Sequence, residues 1–275
     1  MVICNPSIED LNIADTQIAK TFGEPLMSAK IPYVICTQLK KENIKMAMSA
    51  NGADELLFGY SRTPMFNYKF GLPFKEQKPI LNNFRDQLKH IFRDNINFEI
   101  EGLDLKKFSI DVLYKVLKSK KLPLDFDDNA NCRWLELLTY VQSDLNQSLD
   151  AASMANSIEI RTPFLDKRII SGLLSKPIES LVDNKYGRKK ILKKYLSKYF
   201  PSSFFQRPKQ GFSIDQNIFS EFYKKQNEHI KKFNKKFILK KNNQFFERDS
   251  IYIKSSIDSF ITWQENNKEF LKNEF

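Results

Sequence analysis

The stretch "NIKMAM", Asn43 to Met48, runs into "SANG" and then into Asp54 and Glu55, and it constrains the fold more than any other part of the chain. Its short apolar run has the length of a buried strand. Gly52 permits a tight turn, and Asp54 onward can open a helix. In open α/β sheets ligands collect where strands end and helices begin, because backbone N–H groups there are free and the helix dipole is positive. The small Ser49 and Ala50 let a ligand approach the backbone at that point. Asp54 has two open readings from spacing alone: a cap for its own helix, or an oxygen ligand for Mg²⁺, which binds through one or two carboxylates and phosphate oxygens.

Around this strand the chain reads as helix. Leu11, Ala14, Ile18 and Phe22 fall on one helical face. "FGEPL" breaks that helix, and Ser28 can cap the next, whose Ile31, Val34, Ile35 and Leu39 share a stripe. Residues 61–79 read as a loop, followed by helices built on Leu81, Phe84, Leu88 and Phe92 and on Ile110, Leu113 and Leu117. "KKLPLDFDDNANC" is a polar, acidic connection. The clearest helix places Leu138, Val141, Leu145, Leu149 and Ala152 on one stripe and is expected to run on to "EIRTPFLD", where Pro163 ends it. A further helix over "RKKILKKYLSKYF", a loop over "PSSFFQRPKQGFS" and a basic, aromatic-rich helical tail complete the chain. One strong strand among so many helices predicts an α/β protein, predominantly helical, whose sheet is incomplete.

Composition narrows the classes. With 275 residues the chain can bury a substantial core, and its 41% hydrophobic content is ordinary for a globular protein. No run of about 18 apolar residues exists, so no membrane span is expected. "MVICNPSIEDLNIAD" lacks a basic start and a long apolar core, which argues against a secretory signal. The three cysteines, Cys4, Cys36 and Cys132, stand far apart without metal-ligand spacing and suit a reducing, cytoplasmic setting. The net charge of +11 brings nucleic acid into consideration, through lysines and aromatics interleaved in "KYGRKKILKKYLSKYF" and "KKQNEHIKKFNKKFILKK". Solvated surface charge explains the same excess, and nucleic-acid binding is the lesser reading. His90 and His229 lie far from any motif and are not expected to be catalytic, while Trp134 and Trp263 read as core.

Four segments, in order, carry a resemblance. "SANGADELLFGY" resembles the Ser-Gly-acid-Gly-x-Asp-Glu-Leu-Phe-Gly-Gly-Tyr motif of the synthetase domain of glutamine-dependent asparagine synthetases. "LDAASMANSIEIRTPFLD" is similar to that family's Asp-Arg-x-Ser-Met-x-x-Ser-x-Glu-x-Arg-x-Pro-Phe-Leu-Asp helix. "QRPKQGFS" resembles its Arg-Pro-Lys-x-Gly-Phe loop, and "FGEPLMS" its Glu-Pro-Phe-x-x-Pro-Ser segment. The resemblance spans roughly the first 215 residues; the last sixty or so carry no recognised motif.

By that resemblance the fold is a truncated Rossmann-like parallel sheet of the adenine-nucleotide alpha-hydrolase type, followed by a helical C-terminal part. It implies one domain with a partial nucleotide-binding part over 1–61, a helical connection over 62–135, a motif-bearing part over 136–215 and a basic helical tail over 216–275. The implied reaction is ATP-dependent amide formation: a carboxylate, aspartate's in the name-giving enzymes, is adenylated and then attacked by ammonia. Asp54 matches the family's Mg²⁺-binding aspartate, and Lys209 the catalytic lysine set against the reacting phosphates. Ser49, Ala50, Asn51 and Gly52 match the nucleotide-facing turn. Ser153, Glu159, Arg161 and Asp166 match motif positions for which a supporting role is expected, with Glu159 and Arg161 forming a buried ion pair or hydrogen-bond network that positions the site.

The chain departs from the family in ways that qualify the activity. No Ser-Gly-Gly triplet of the family's pyrophosphate loop occurs, and position 2 is Val2 where the family's glutaminase carries cysteine. Asn51 stands in place of an acid, Phe58 in place of a glycine, and Ser148 and Ala151 in place of a lysine and an arginine. The expectation is therefore a chain inactive or weak alone, completed by a second polypeptide that supplies the glutaminase and pyrophosphate loop. The alternative is a non-catalytic remnant or binding partner of such an enzyme.

Overall fold

Helix α1 (Ile8–Thr21) opens on a capping box: the Ser7 hydroxyl accepts from the Asp10 amide at 3.1 Å while the Asp10 carboxylate accepts from the Ser7 amide at 2.9 Å. Leu11, Ala14 and Ile18 are buried on the expected face, and Phe22 packs against them. The computed structural model describes residues 4–60, 99–100, 103–104, 128–205, 217–218, 221–222 and 250–267. The expected loop over 61–79, the helices over 81–92 and 110–117, both histidines and Lys209 lie outside the described residues.

Helix α2 (Lys30–Lys41) follows a 3₁₀ turn, Met27–Ala29. Ser28 lies inside that turn and does not cap the helix, contrary to expectation; Ala29 holds the cap position without a side-chain bond. The helix tolerates Pro32 because the first-turn N–H groups have no helical acceptor. Strand β1 (Met46–Met48) is not the buried strand expected, since Met46 and Met48 are exposed with Glu159–Arg161 its only strand partner among the described residues. It leads through the turn into α3 (Ala53–Leu56), a single helical turn. Glu99–Ile100 (β2) and Leu103–Asp104 (β3) form a separate antiparallel pair.

A long helical run forms the spine. It consists of α4 (Asp128–Glu136), a π-helical stretch (Leu137–Asn146) and α5 (Gln147–Ala155). The π-type i→i+5 bonding widens the turn and rotates the stripe. Val141 and Ala152 of the expected stripe are buried, Leu138, Leu145 and Leu149 are half-buried, and Leu135, Leu137, Ser148 and Ala151 are buried as well.

The run does not continue to Pro163. It stops at Ala155, where the Asn156 side chain donates to the Ala152 carbonyl at 2.9 Å and accepts from Thr37 at 3.0 Å. Ser157 turns the chain at φ 57°, and Glu159–Arg161 becomes strand β4. β4 lies parallel to β1 with Met46 opposite Glu159, Ala47 opposite Ile160 and Met48 opposite Arg161. The alternation Glu-Ile-Arg satisfies a strand once a partner lies beside it, and that partner overrides the helical momentum of the segment.

Beyond β4 come a 3₁₀ turn (Pro163–Leu165), α6 (Lys167–Leu174), α7 (Ile178–Leu181), α8 (Lys190–Leu196), a 3₁₀ turn (Ser202–Phe204) and α9 (Ser250–Asn266). The expected helix over "RKKILKKYLSKYF" is shorter than the segment and starts at Lys190. The described residues are mostly helical around a small parallel sheet, which fits an α/β synthetase-domain fold. No described helix is long and apolar enough to cross a membrane.

Two apolar clusters form cores among the described residues. One joins Leu56, Leu57 and Phe58 to Leu137, Val141, Leu174, Ile178, Leu181 and Val182, with Trp134 packed against it. The other joins α1, α2, Phe222 and Ala151 of α5. Ser148 and Ala151 are each 2% exposed, so the positions where the family carries cations are packing positions here. The three cysteines are free, with Cys36 and Cys132 buried and Cys4 exposed.

Candidate functional site

The turn after β1 is built by its own short side chains. The Ser49 hydroxyl accepts from the Asn51 amide at 3.2 Å and donates to the Asn51 side-chain oxygen at 2.9 Å. The Asn51 side-chain amide reaches the Leu145 carbonyl at 3.4 Å and the Asn146 oxygen at 3.5 Å, which ties the turn to the π-helical stretch. An acid at this position would have no N–H to give to Leu145. The Ser49 amide donates to the Arg161 carbonyl at 2.8 Å and so prolongs the parallel ladder; it is not free for a ligand. Ala50 is exposed, and its carbonyl accepts from the Ala53 amide at 3.0 Å.

Gly52 has two reasons to be glycine. Its φ is 92°, in the left-handed region, and a Cβ there would lie 3.0 Å from Leu165 Cγ and 3.5 Å from Phe164 Cβ. The turn therefore abuts the "TPFL" segment that follows β4. Two of the sequence motifs, widely separated along the chain, meet at this point.

The two acids diverge. Glu55 turns inward, 1% exposed, and accepts from the Gly52 amide at 3.0 Å, capping the short helix α3. It also hydrogen-bonds Tyr60; burial first and the Glu55 charge second push the Tyr60 hydroxyl pKa far up, so it stays a donor. Asp54 does not cap. Its carboxylate forms an ion pair with the Lys189 ammonium, both side chains being about a quarter exposed at 22% and 29%. Lys189 is held there by its backbone: its amide donates to the Leu57 carbonyl at 3.1 Å and its φ is 61°. The neighbouring Arg188 donates to the carbonyls of Phe58 at 3.0 Å and Tyr60 at 2.5 Å.

Among the described residues no group of three or more His, Cys, Asp or Glu side chains is arranged to hold a metal ion. Asp54, expected as a Mg²⁺ ligand, is engaged by an ammonium, and Glu55 by a backbone amide. This arrangement does not fit a magnesium ion at Asp54, since that cation requires several oxygen ligands and would share its carboxylate with Lys189. The catalytic expectation for Lys209 falls outside the described residues.

The supporting residues are placed as follows. Arg161 meets Glu159 at 2.8 Å, but the side chains are 62% and 59% exposed, so the pair is a surface pair and not the buried one expected. The two alternate residues of a strand share one face, and here that face looks outward. Asp166 caps α6 through the Arg168 amide and pairs with the Arg168 guanidinium at 2.9 Å. Ser153 is buried, with its hydroxyl donating to the Asp150 carbonyl at 3.1 Å.

Sequence reasoning missed Lys189, Arg188 and the role of Gly59. Nothing in "GRKK" marks one lysine above its neighbours. Gly59 did carry a signal: a Cβ there would lie 2.6 Å from Lys189 Cε and collide with the Asp54 carboxylate. Phe58 carried another, because it replaces a motif glycine and adopts the left-handed conformation itself, at φ 54°.

Comparisons with known proteins bear on the family. The asparagine synthase family matches residues 8–252. Asparagine synthetase (glutamine-hydrolysing) 1 of Bacillus subtilis (strain 168) is 23% identical over 227 residues, covering 70% of this chain and 34% of that protein. Asparagine synthetase (glutamine-hydrolysing) 2 of the same organism is 26% identical over 241 residues, covering 86% of this chain and 30% of that protein. The chain thus spans about a third of the length of these relatives. On a match that takes in both motifs joined at the β1 turn, the chain belongs to the asparagine synthase family.

Proposed function

We propose that this chain is the synthetase part of an ATP-dependent, amide-forming ligase of asparagine synthetase type, with aspartate as the carboxylate substrate. A carboxylate at neutral pH is a poor acyl donor. Its oxygen attacks the α-phosphorus of ATP, the bond to the β-phosphate breaks, and pyrophosphate leaves with an acyl-adenylate formed. Ammonia then attacks the acyl carbon, AMP departs, and the amide nitrogen gives up a proton.

The observation that carries this reading is the junction of the Ser49–Gly52 turn with the "EIRTPFL" segment, made by the Ser49–Arg161 hydrogen bond and the seating of Gly52 on Leu165. It lies at a strand end, the place where ligands collect in open α/β sheets. Lys209 is assigned to the developing phosphate charge by its motif alone. Magnesium would arrive on the triphosphate, whose oxygens it prefers, and no step here uses it at Asp54.

The reading includes a further segment, of this polypeptide or of another, that completes the sheet and supplies ammonia and the pyrophosphate loop. Parallel sheets are ordinarily covered on both faces. Here Met46 is 49% and Met48 77% exposed on β1, an apolar strand face of the kind a further layer would cover.

The test is ATP–pyrophosphate exchange with aspartate. The chain alone should show little exchange, and co-expression with a polypeptide carrying the glutaminase and pyrophosphate loop should restore it. Lys209→Ala should abolish the gain. Full exchange by these 275 residues alone would defeat the reading that a further segment is needed.

The Asp54–Lys189 pair and Asn51 favour a second reading, a non-catalytic member of the family that binds such an enzyme. Co-purification with the partner without any restored exchange would select it.

A further inference from the structure

The geometry points to Lys189 as the resident cation of the β1 turn: we infer that its ammonium holds the place at Asp54 that a divalent metal would take. The pair also clamps the 183–193 segment to the turn.

Several independent contacts make this a built arrangement and not a chance meeting of surface charges. Lys189 arrives from a tight loop closed by Asp183 and Gly187, whose amides and carbonyls exchange hydrogen bonds at 2.8 and 3.3 Å. Lys190 braces that loop by reaching Asp183 at 3.2 Å and the Glu179 carbonyl at 2.7 Å. Lys193 braces its other side through the Tyr186 carbonyl at 2.8 Å. Arg188 and the Lys189 amide then bind the carbonyls of Leu57, Phe58 and Tyr60, so the loop lies against the turn by backbone contacts before the Lys189 side chain is considered.

Lys189 itself adopts a left-handed conformation, which an L-residue takes only when its surroundings require it. Gly59 leaves the space into which the pair fits, and any side chain there would displace it. Glu55, the other acid of the turn, is buried and spends one carboxylate oxygen on capping α3. A divalent ion at Asp54 would sit within a few ångströms of the ammonium in a half-buried place, where like charges repel more strongly than in water.

The inference stands whether or not the chain adenylates a carboxylate, because it concerns the apo protein and inorganic cations alone. Mn²⁺ is the probe, titrated into the full-length chain without nucleotide and followed by electron paramagnetic resonance. Wild type and Asp54→Asn should bind Mn²⁺ equally weakly. Lys189→Met, its fold checked by circular dichroism, should gain a site at least about tenfold tighter, and Asp54→Asn in that background should remove it. Asp54-dependent Mn²⁺ binding by the wild type would overturn the inference. So would a folded Lys189→Met protein that binds no better than wild type. If Lys189→Met does not fold, the comparison of wild type with Asp54→Asn decides: equal binding upholds the inference, and loss of binding in Asp54→Asn ends it.

Discussion

Lys30 and Asp15 meet 3.0 Å apart inside the protein, with side chains 6% and 10% exposed. Asp258 of α9 joins them at 3.4 Å; Ser259 donates to the same Asp15 oxygen that pairs with Lys30, and Thr262 donates to the other. The Lys30 ammonium also lies 5.2 Å from the Phe222 ring. One buried cation thus fastens the C-terminal helix to α1 and α2. Removing it strands two buried carboxylates, so Lys30→Met should destabilise the protein by about 3–5 kcal/mol. Urea denaturation measures this. Adding Asp15→Asn and Asp258→Asn to Lys30→Met should recover part of the loss, and a purely additive triple variant would contradict the account.

Arg133 is 0% exposed and closes the end of α6. It donates to the carbonyls of Leu173 at 2.7 Å, Leu174 at 3.3 Å and Lys176 at 3.3 Å, and its guanidinium lies 5.4 Å from the Phe58 ring. Lysine keeps the charge but not the planar fork. Arg133→Lys should therefore cost about 2–4 kcal/mol, since one ammonium cannot reach all three carbonyls that the guanidinium serves. A thermal shift near zero would show that the fork is dispensable.

Phe58 fills the core at 0% exposure while holding a left-handed backbone. Truncation to alanine should cost about 3–5 kcal/mol through the cavity it leaves. Glycine removes one more carbon but relieves the backbone. Phe58→Gly should therefore match or exceed Phe58→Ala in stability by up to about 1 kcal/mol, reversing the usual order. Parallel melts of the two variants check the sign.

Asp166 gives a pH prediction. Hydrogen bonds from the Arg168 side chain and then its backbone amide lower the carboxyl from 3.8 to about 2. A depressed folded-state pKa contributes stability above the unfolded value, and that contribution disappears as pH falls through the folded one. Asn keeps the cap and loses the charge. The melting difference between wild type and Asp166→Asn should be constant above about pH 4 and fade towards pH 2. A difference that grows on acidification would refute the assignment.

Local pattern carried much of this protein. The α1 face, the β1 strand, the turn at Gly52 and the opening of a helix at Ala53 all follow from residues within a few positions of one another. The motif resemblance added which turn would matter; that "TPFL" packs against it came from the structure. The strand at Glu159–Arg161 was hidden because a strand of this length is stable only beside a partner, and β1 lies far upstream. The stripe on the spine helix shifted because π-type bonding changes the residue spacing without any mark in the periodicity.

The chemistry of the acids divided in the same way. Residue type announced that Asp54 and Glu55 would be charged and close to a strand end. Their partners came from elsewhere in the chain or from the backbone: Glu55 found the Gly52 amide, and Asp54 found a lysine delivered by a loop that packs on the turn. A carboxylate accepts whichever donor the packed chain brings within reach, and electrostatic attraction is indifferent to separation along the sequence. That is why charge and turn could be read from neighbouring letters, whereas the identity of the cation at Asp54 came from how distant segments pack together.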